Sequence, residues 1–118
     1  MQPDRVIFSL LLILPIWFGS CPAWAEDGIG GDFSLTDQAG QPFRLAQLRG
    51  KVVLLFFGYT FCPDICSTEL ANLSAVLNEL PHAGDQVQGV FVTVDPERDT
   101  PRVLADYVGY FSRHLIGL

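Results

Sequence analysis

Positive charge is scarce in this 118-residue chain, where seven Lys and Arg stand against 13 Asp and Glu for a formal net charge of −6. Such a surface repels a phosphate backbone, so no nucleic-acid partner is expected. It suits solubility, and a positively charged partner patch or a metal ion. Also missing are any internal repeat, low-complexity tract or glycine-rich phosphate-binding loop. Only two histidines and three cysteines are available. Any site built on thiols or imidazoles must therefore be assembled from very few residues. A length of 118 residues with 49% hydrophobic content allows one domain and no more.

The chain opens with an apolar leader. Arg5 and the terminal amine make a weak basic start, Val6 to Phe18 is apolar except for Ser9 and Pro15, and Ala23-Trp24-Ala25 offers a small-x-small cleavage site before Glu26. Residues 1–25 are therefore expected to direct export. An uncleaved anchor is the rival reading, because residues 6–25 carry no charge and are long enough to span a bilayer. The Ala-x-Ala site and the early Pro15 favour cleavage. Lipidation at Cys21 is a third reading, set back by Phe18, which stands where lipoprotein signals usually carry Leu. The expected location is the periplasm, or the extracytoplasmic face of an inner membrane. Oxidising compartments favour disulfides, and a cysteine pair left after export suits a reversible couple or a metal site. Losing Asp4 and Arg5 takes one from each charge total, so the exported part keeps 12 acids, six bases and a net charge of −6.

Residues 26–32 form a polar, glycine-rich linker. Phe33 to Asp37 alternates apolar and polar, Ala39-Gly40-Gln41 supplies a turn, and Phe43-Arg44-Leu45 resumes the alternation, which predicts a β-hairpin. Leu45 to Gly50 reads as a helical turn. Residues 52–57 are an unbroken run of β-branched, aliphatic and aromatic side chains, too short for a helix and suited to a parallel strand buried on both faces. Beyond Cys66, with Ser67 or Thr68 as start signal, Leu70, Leu73, Val76, Leu77 and Leu80 mark one face of a helix that Pro81 and Gly84 end. Residues 87–94 predict a second strand, with Val90, Val92 and Val94 on one face and Phe91 on the other. Strand, helix and strand make a right-handed βαβ unit. Asp95 then emerges at the same sheet end as Cys62. Thr100 and Pro101 predict an N-cap and first position for a further helix, with Val103, Leu104, Tyr107, Val108 and Phe111 on its buried stripe. Leu115 to Leu118 begins another apolar run.

The chemistry is concentrated in Gly58-Tyr-Thr-Phe-Cys-Pro-Asp-Ile-Cys66. Cys62 and Cys66 lie where a buried strand gives way to a loop and a helix, and a helix N-terminus favours the thiolate that attacks disulfides or binds metal. Their spacing is one residue longer than the Cys-x-x-Cys of thioredoxin-like redox proteins. Four residues apart is one helical turn, so if the loop winds helically both sulfurs face the same way and form a clamp for Cu(I). They are also close enough to join, since Cα atoms about 6 Å apart lie within the disulfide range. Pro63 and Asp64 between them suit a loop rather than a core.

The segment from Gly58 to Cys66, followed by Val94-Asp-Pro-Glu-Arg-Asp-Thr-Pro101, resembles the Sco/SenC family of thioredoxin-fold copper proteins that help assemble cytochrome c oxidase. The likeness runs from about Phe33 to Leu118. It implies an α/β, thioredoxin-like fold carrying the N-terminal hairpin. It also implies that Cys62 and Cys66 bind a copper ion with a histidine well downstream, that the same pair can form a disulfide, and that the recipient is the copper-receiving subunit of the oxidase. Ser67 departs from the family's usual second proline. The histidine is the larger departure. His82 follows a helix that starts beside Cys66, so about 13 residues at about 1.5 Å place it roughly 20 Å from the sulfurs. His114 comes out roughly 18 Å away by the same reasoning. Both read as surface or packing residues, which leaves the third ligand outside this chain.

Three functions therefore stand. The first is a copper metallochaperone using Cys62 and Cys66, with Asp95 placed beside the sulfurs as a tuning group rather than a ligand. The second is an extracytoplasmic thiol-disulfide oxidoreductase using the same pair, and the third an inactive fragment. The domain is expected to be incomplete at its C-terminus, so that residues 33–118 leave one edge of the 52–57 strand unpaired.

Overall fold

In the computed structural model, which describes residues 30–118, Ser34–Thr36 (β1) and Pro42–Arg44 (β2) pair antiparallel with Leu35 opposite Phe43. This is the expected hairpin. Asp37 builds its turn by accepting the amides of Ala39 and Gln41 at 2.9 and 2.8 Å. Gly40 adopts a φ of 75°, a conformation a side chain would resist. The leader and most of the linker lie outside the described residues. Among the described residues, no helix is long and apolar enough to cross a membrane.

A 3-10 turn at Leu45–Leu48 leads into Val52–Gly58 (β3), which pairs parallel with Val87–Thr93 (β4) from Val52↔Val87 to Gly58↔Thr93. The crossover is Ile65–Glu79 (α1), completing the βαβ unit. The chain continues through Pro101–Phe111 (α2) to Leu115–Gly117 (β5), parallel to the other side of β4 with Gly89 opposite Leu115. The sheet order is β3-β4-β5. Two right-handed crossovers advancing in one direction put both helices on one face. There Leu70 and Leu77 of α1 meet Leu104 and Val108 of α2 over Phe91 and Leu115. On the opposite face Phe43 and Leu48 cover Val90, Val92 and Leu118. The fold is thus mixed α/β and thioredoxin-like.

Three details differ from expectation. The strand over residues 52–57 is not buried on both faces: β3 is an edge of the described sheet, and Val52 and Phe57 are 61% and 60% exposed. A parallel strand is buried fully only with neighbours on both edges, and β4 holds that place with Val90 and Phe91 at 0%. Secondly, α1 starts at Ile65 with Asp64 as N-cap, earlier than Ser67 or Thr68 suggests. Both hydroxyls turn back to the Asp64 carbonyl, at 3.0 and 3.4 Å, instead of capping amides. Thirdly, Val94 lies beyond the strand and is exposed. The second helix begins as expected, with Thr100 accepting the Val103 amide at 3.4 Å and Pro101 in the first turn. The short apolar run after it is β5, whose neighbour Leu118 exchanges bonds with Phe91 O and Thr93 N at 2.8 and 2.9 Å.

Candidate dithiol centre

Cys62 and Cys66 come together at the C-terminal end of β3 as free thiols, Cys62 partly exposed and Cys66 buried in the first turn of α1. The Cys62 amide donates to Tyr59 O at 3.2 Å, closing a tight turn between strand and helix. Gly58 leaves the room this turn needs. A Cβ there would stand 3.3 Å from Cys66 Sγ and 3.0 Å from ring atoms of both Phe56 and Phe91.

The two thiols are electrostatically unequal. A hydrogen bond from the Cys66 side chain, joined by the amides of Cys66 and Asp64, outweighs desolvation and holds Cys62 below the usual cysteine range. These amides belong to the start of α1, where the helix dipole also favours an anion. Burial pushes Cys66 up, and its role as donor to Cys62 pushes it further. Of the two, Cys62 is therefore the sulfur that gives up its proton more readily.

Asp95 reaches the same end of the sheet as Cys62, since the Val94 amide donates to Gly58 O at 2.8 Å. Its carboxylate is paired with the Arg98 guanidinium. Arg98 in turn lies 5.3 Å over the ring of Phe61, the neighbour of Cys62. The carboxylate buried at the site is a different one, Asp99, which is 3% exposed. It accepts Thr60 Oγ1 at 2.6 Å, the Thr60 amide at 3.0 Å and Thr93 Oγ1 at 2.5 Å. Burial alone would raise its pKa, but these hydrogen bonds and Arg98 prevail and hold it below the ordinary aspartate range. Sequence reading missed Asp99, although the acid was in plain view beside the N-cap Thr100. Tyr107, expected on the buried stripe of α2, also reaches this site. Its hydroxyl is buried with no hydrogen-bond partner among the described residues, and its pKa is raised by burial and by the nearby charge of Cys66, Cys62 and Asp99.

The histidines are elsewhere. His82 follows the far end of α1, and the carbonyl of His114 accepts the Gly89 amide at 3.3 Å, four strand residues from Thr93 and so about 13 Å along the sheet. Among the described residues, no group of three or more His, Cys, Asp or Glu forms a metal site.

A thioredoxin-like sheet with a Cys-x-x-x-Cys pair at the strand-to-helix junction defines a class of dithiol proteins. The SCO1/SenC family model matches residues 23–118, and the chain belongs to that family. It is 51% identical over 90 residues to the mitochondrial SCO2 homolog of Mus musculus, covering 75% of this chain and 35% of that protein. The copper-bound structure of Bradyrhizobium japonicum ScoI is 48% identical with a TM-score of 0.72, over 77% of this chain and 58% of that one. BsSco is described as having a disulfide switch and as a member of the Sco family of cytochrome c oxidase assembly proteins. It matches at 26% identity and a TM-score of 0.63, over 75% of this chain and 53% of its own. The chain spans less than half the length of the mouse relative, at 35%.

Proposed function

We propose that this protein binds copper through Cys62 and Cys66 and passes it to the copper-receiving subunit of cytochrome c oxidase during assembly, on the extracytoplasmic side of a membrane. One observation carries this reading: two free thiols, one partly exposed and one buried, meet at the start of α1. Soft, adjacent sulfurs match Cu(I), and the partial exposure of Cys62 leaves a route for a receiving ligand to enter. The copper-bound ScoI relative supports the same choice of ion. Copper here is cargo, so the site must release it as well as hold it. Asp95 contributes from outside the ligand set, through Arg98 and the Phe61 ring beside Cys62.

A second reading, a thiol-disulfide oxidoreductase, is favoured by the inequality of the thiols. The lowered Cys62 is the attacking sulfur and the buried Cys66 the resolving one. Titration of the reduced protein with Cu(I) against a competing chelator, beside an insulin-reduction assay, separates the two. Tight one-to-one binding without turnover supports the copper protein. Cys62→Ser and Cys66→Ser should each abolish tight binding, whereas Cys21→Ser should not. Retention of one copper through gel filtration by either site variant would sink the assignment. Unchanged copper affinity and thiol reactivity in Asp95→Ala would remove Asp95 from it.

A further inference from the structure

We propose that Asp99 is a positioning residue for the dithiol: its carboxylate pins the turn carrying Cys62 to the end of β4 and so fixes the approach of Cys62 to Cys66. The segment between Gly58 and α1 is only six residues long, Tyr59 to Asp64. Among the described residues, its long-range hydrogen bonds are the two from Thr60, both received by Asp99 across 39 positions of sequence. Thr93 at the end of β4 gives the same carboxylate a third donor, at 2.5 Å. Thr93 is itself held, because its hydroxyl accepts the Asp95 amide at 3.0 Å. Asp99 thus joins the end of β4, the start of α2 and the turn two residues before Cys62.

The two cysteines depend on this clamp unequally. Cys66 sits in the first turn of α1, whose Leu70 and Leu77 are fully buried, and its place is set by helix packing. Cys62 lies outside the helix, on the clamped turn. Weakening the clamp therefore frees one sulfur while leaving the other in place, which lowers the effective concentration of each at the other. A structural role of equal energetic weight elsewhere in the molecule would not do this.

The proposal rests on Cys62 and Cys66 acting as a pair, whatever they carry. The test is thiol-disulfide exchange with glutathione, using the full chain bearing Cys21→Ser so that only the pair can close. In the exchange a Cys62–Cys66 bond forms and the glutathione disulfide breaks. The two cysteines are oxidised, and two glutathione thiols take up the two protons. Asp99→Asn keeps the size of the side chain but turns an amide donor toward groups that are themselves donors. It should lower the equilibrium constant for ring closure by about three- to tenfold, tenfold corresponding to about 30 mV. Thr93→Val removes one donor and should give a smaller change in the same direction, which keeps the test available if Asp99→Asn does not fold. Ser112→Ala is the control. It deletes a 2.7 Å hydrogen bond from Ser112 to Asn78 between the far ends of α2 and α1. It should lower the melting temperature yet leave the exchange constant within twofold of the parent. Asp99→Asn or Thr93→Val at the parental constant, or Ser112→Ala shifting it equally, would overturn the proposal. So would a parent protein that closes no Cys62–Cys66 bond. Loss of the copper reading alone, with the exchange response intact, would leave it standing.

Discussion

Replacing Gly58 with Ala tests the packing beneath the dithiol. The backbone does not resist, because Gly58 is not among the glycines with positive φ. Space does. The new methyl would stand 3.0 Å from Phe56 Cε1 and from Phe91 Cε2, and 3.3 Å from Cys66 Sγ. Ordinary carbon contacts fall at about 3.5–4.0 Å, so each ring must yield roughly half an ångström. Phe91 is 0% exposed, stacks on Phe56 at 5.9 Å and meets Tyr107 at 5.5 Å. It has nowhere to swing. Overpacking of this kind costs about 1–3 kcal/mol. Alanine recovers about 0.4–1 kcal/mol by restricting the unfolded chain. The net loss centres on about 1.3 kcal/mol, and for a domain this small Tm falls by roughly 4–8 °C per kcal/mol. The third contact links stability to chemistry, since relief of the clash displaces the Cys66 sulfur. Near-ultraviolet circular dichroism melts, with alkylation of Cys66 followed by mass spectrometry, read both effects. A Gly58→Ala protein that melts at or above the parent, with Cys66 labelled at the parental rate, would refute the reasoning.

Tyr107→Phe removes a buried hydroxyl that has no partner among the described residues while keeping the ring, so stability should be unchanged or raised by up to about 1 kcal/mol; a loss above about 1 kcal/mol in denaturant melts would mean the hydroxyl is bonded after all. Asp99 has its folded pKa below the ordinary aspartate value, so its charge stabilises the fold above the ordinary range, about pH 4, and that stability is lost as pH falls through the lowered value. The Tm gap between parent and Asp99→Asn should be constant from pH 8 to about pH 5 and close in stronger acid; a gap that widens in acid would reverse the sign. β3 is an edge of the described sheet, with Val52 61% exposed, and that edge should drive concentration-dependent self-association that Val52→Lys reduces. Sedimentation velocity of the parent showing monomer alone at high concentration would contradict this.

The parts of the fold legible in the sequence were those with a period. The hairpin, the βαβ unit and both helices follow from alternation and from apolar residues spaced by three and four. Position within the sheet carries no such signal. Residues 52–57 are as apolar as any central strand, yet β4 is central among the described strands because it has a partner on each side. That partner on the second side, β5, is only three residues long. Three residues show no periodicity, and their pairing with β4 is continued by Leu118, which bonds to Phe91 and Thr93.

The site was legible in its sulfurs and obscure in its support. The acidic loop offers Asp95 and Asp99 four residues apart, and nothing local says which of them turns inward. Their surroundings decide it. Arg98 is three residues from Asp95 and 59% exposed in its side chain, so Asp95 finds its partner at the surface. Asp99 instead meets threonines whose nearness is a product of the sheet. In the parallel register Gly58 lies opposite Thr93, which brings Thr60, two residues past the end of β3, to the same corner as Thr93. Two hydroxyls and an amide converging where strands end demand an acceptor once water is excluded. The acid at the entrance to α2 meets that demand, because α2 must start at this corner to lead back to β5. Asp99 thus becomes predictable as soon as the strand register is known, one step after the point where composition and spacing stop being informative.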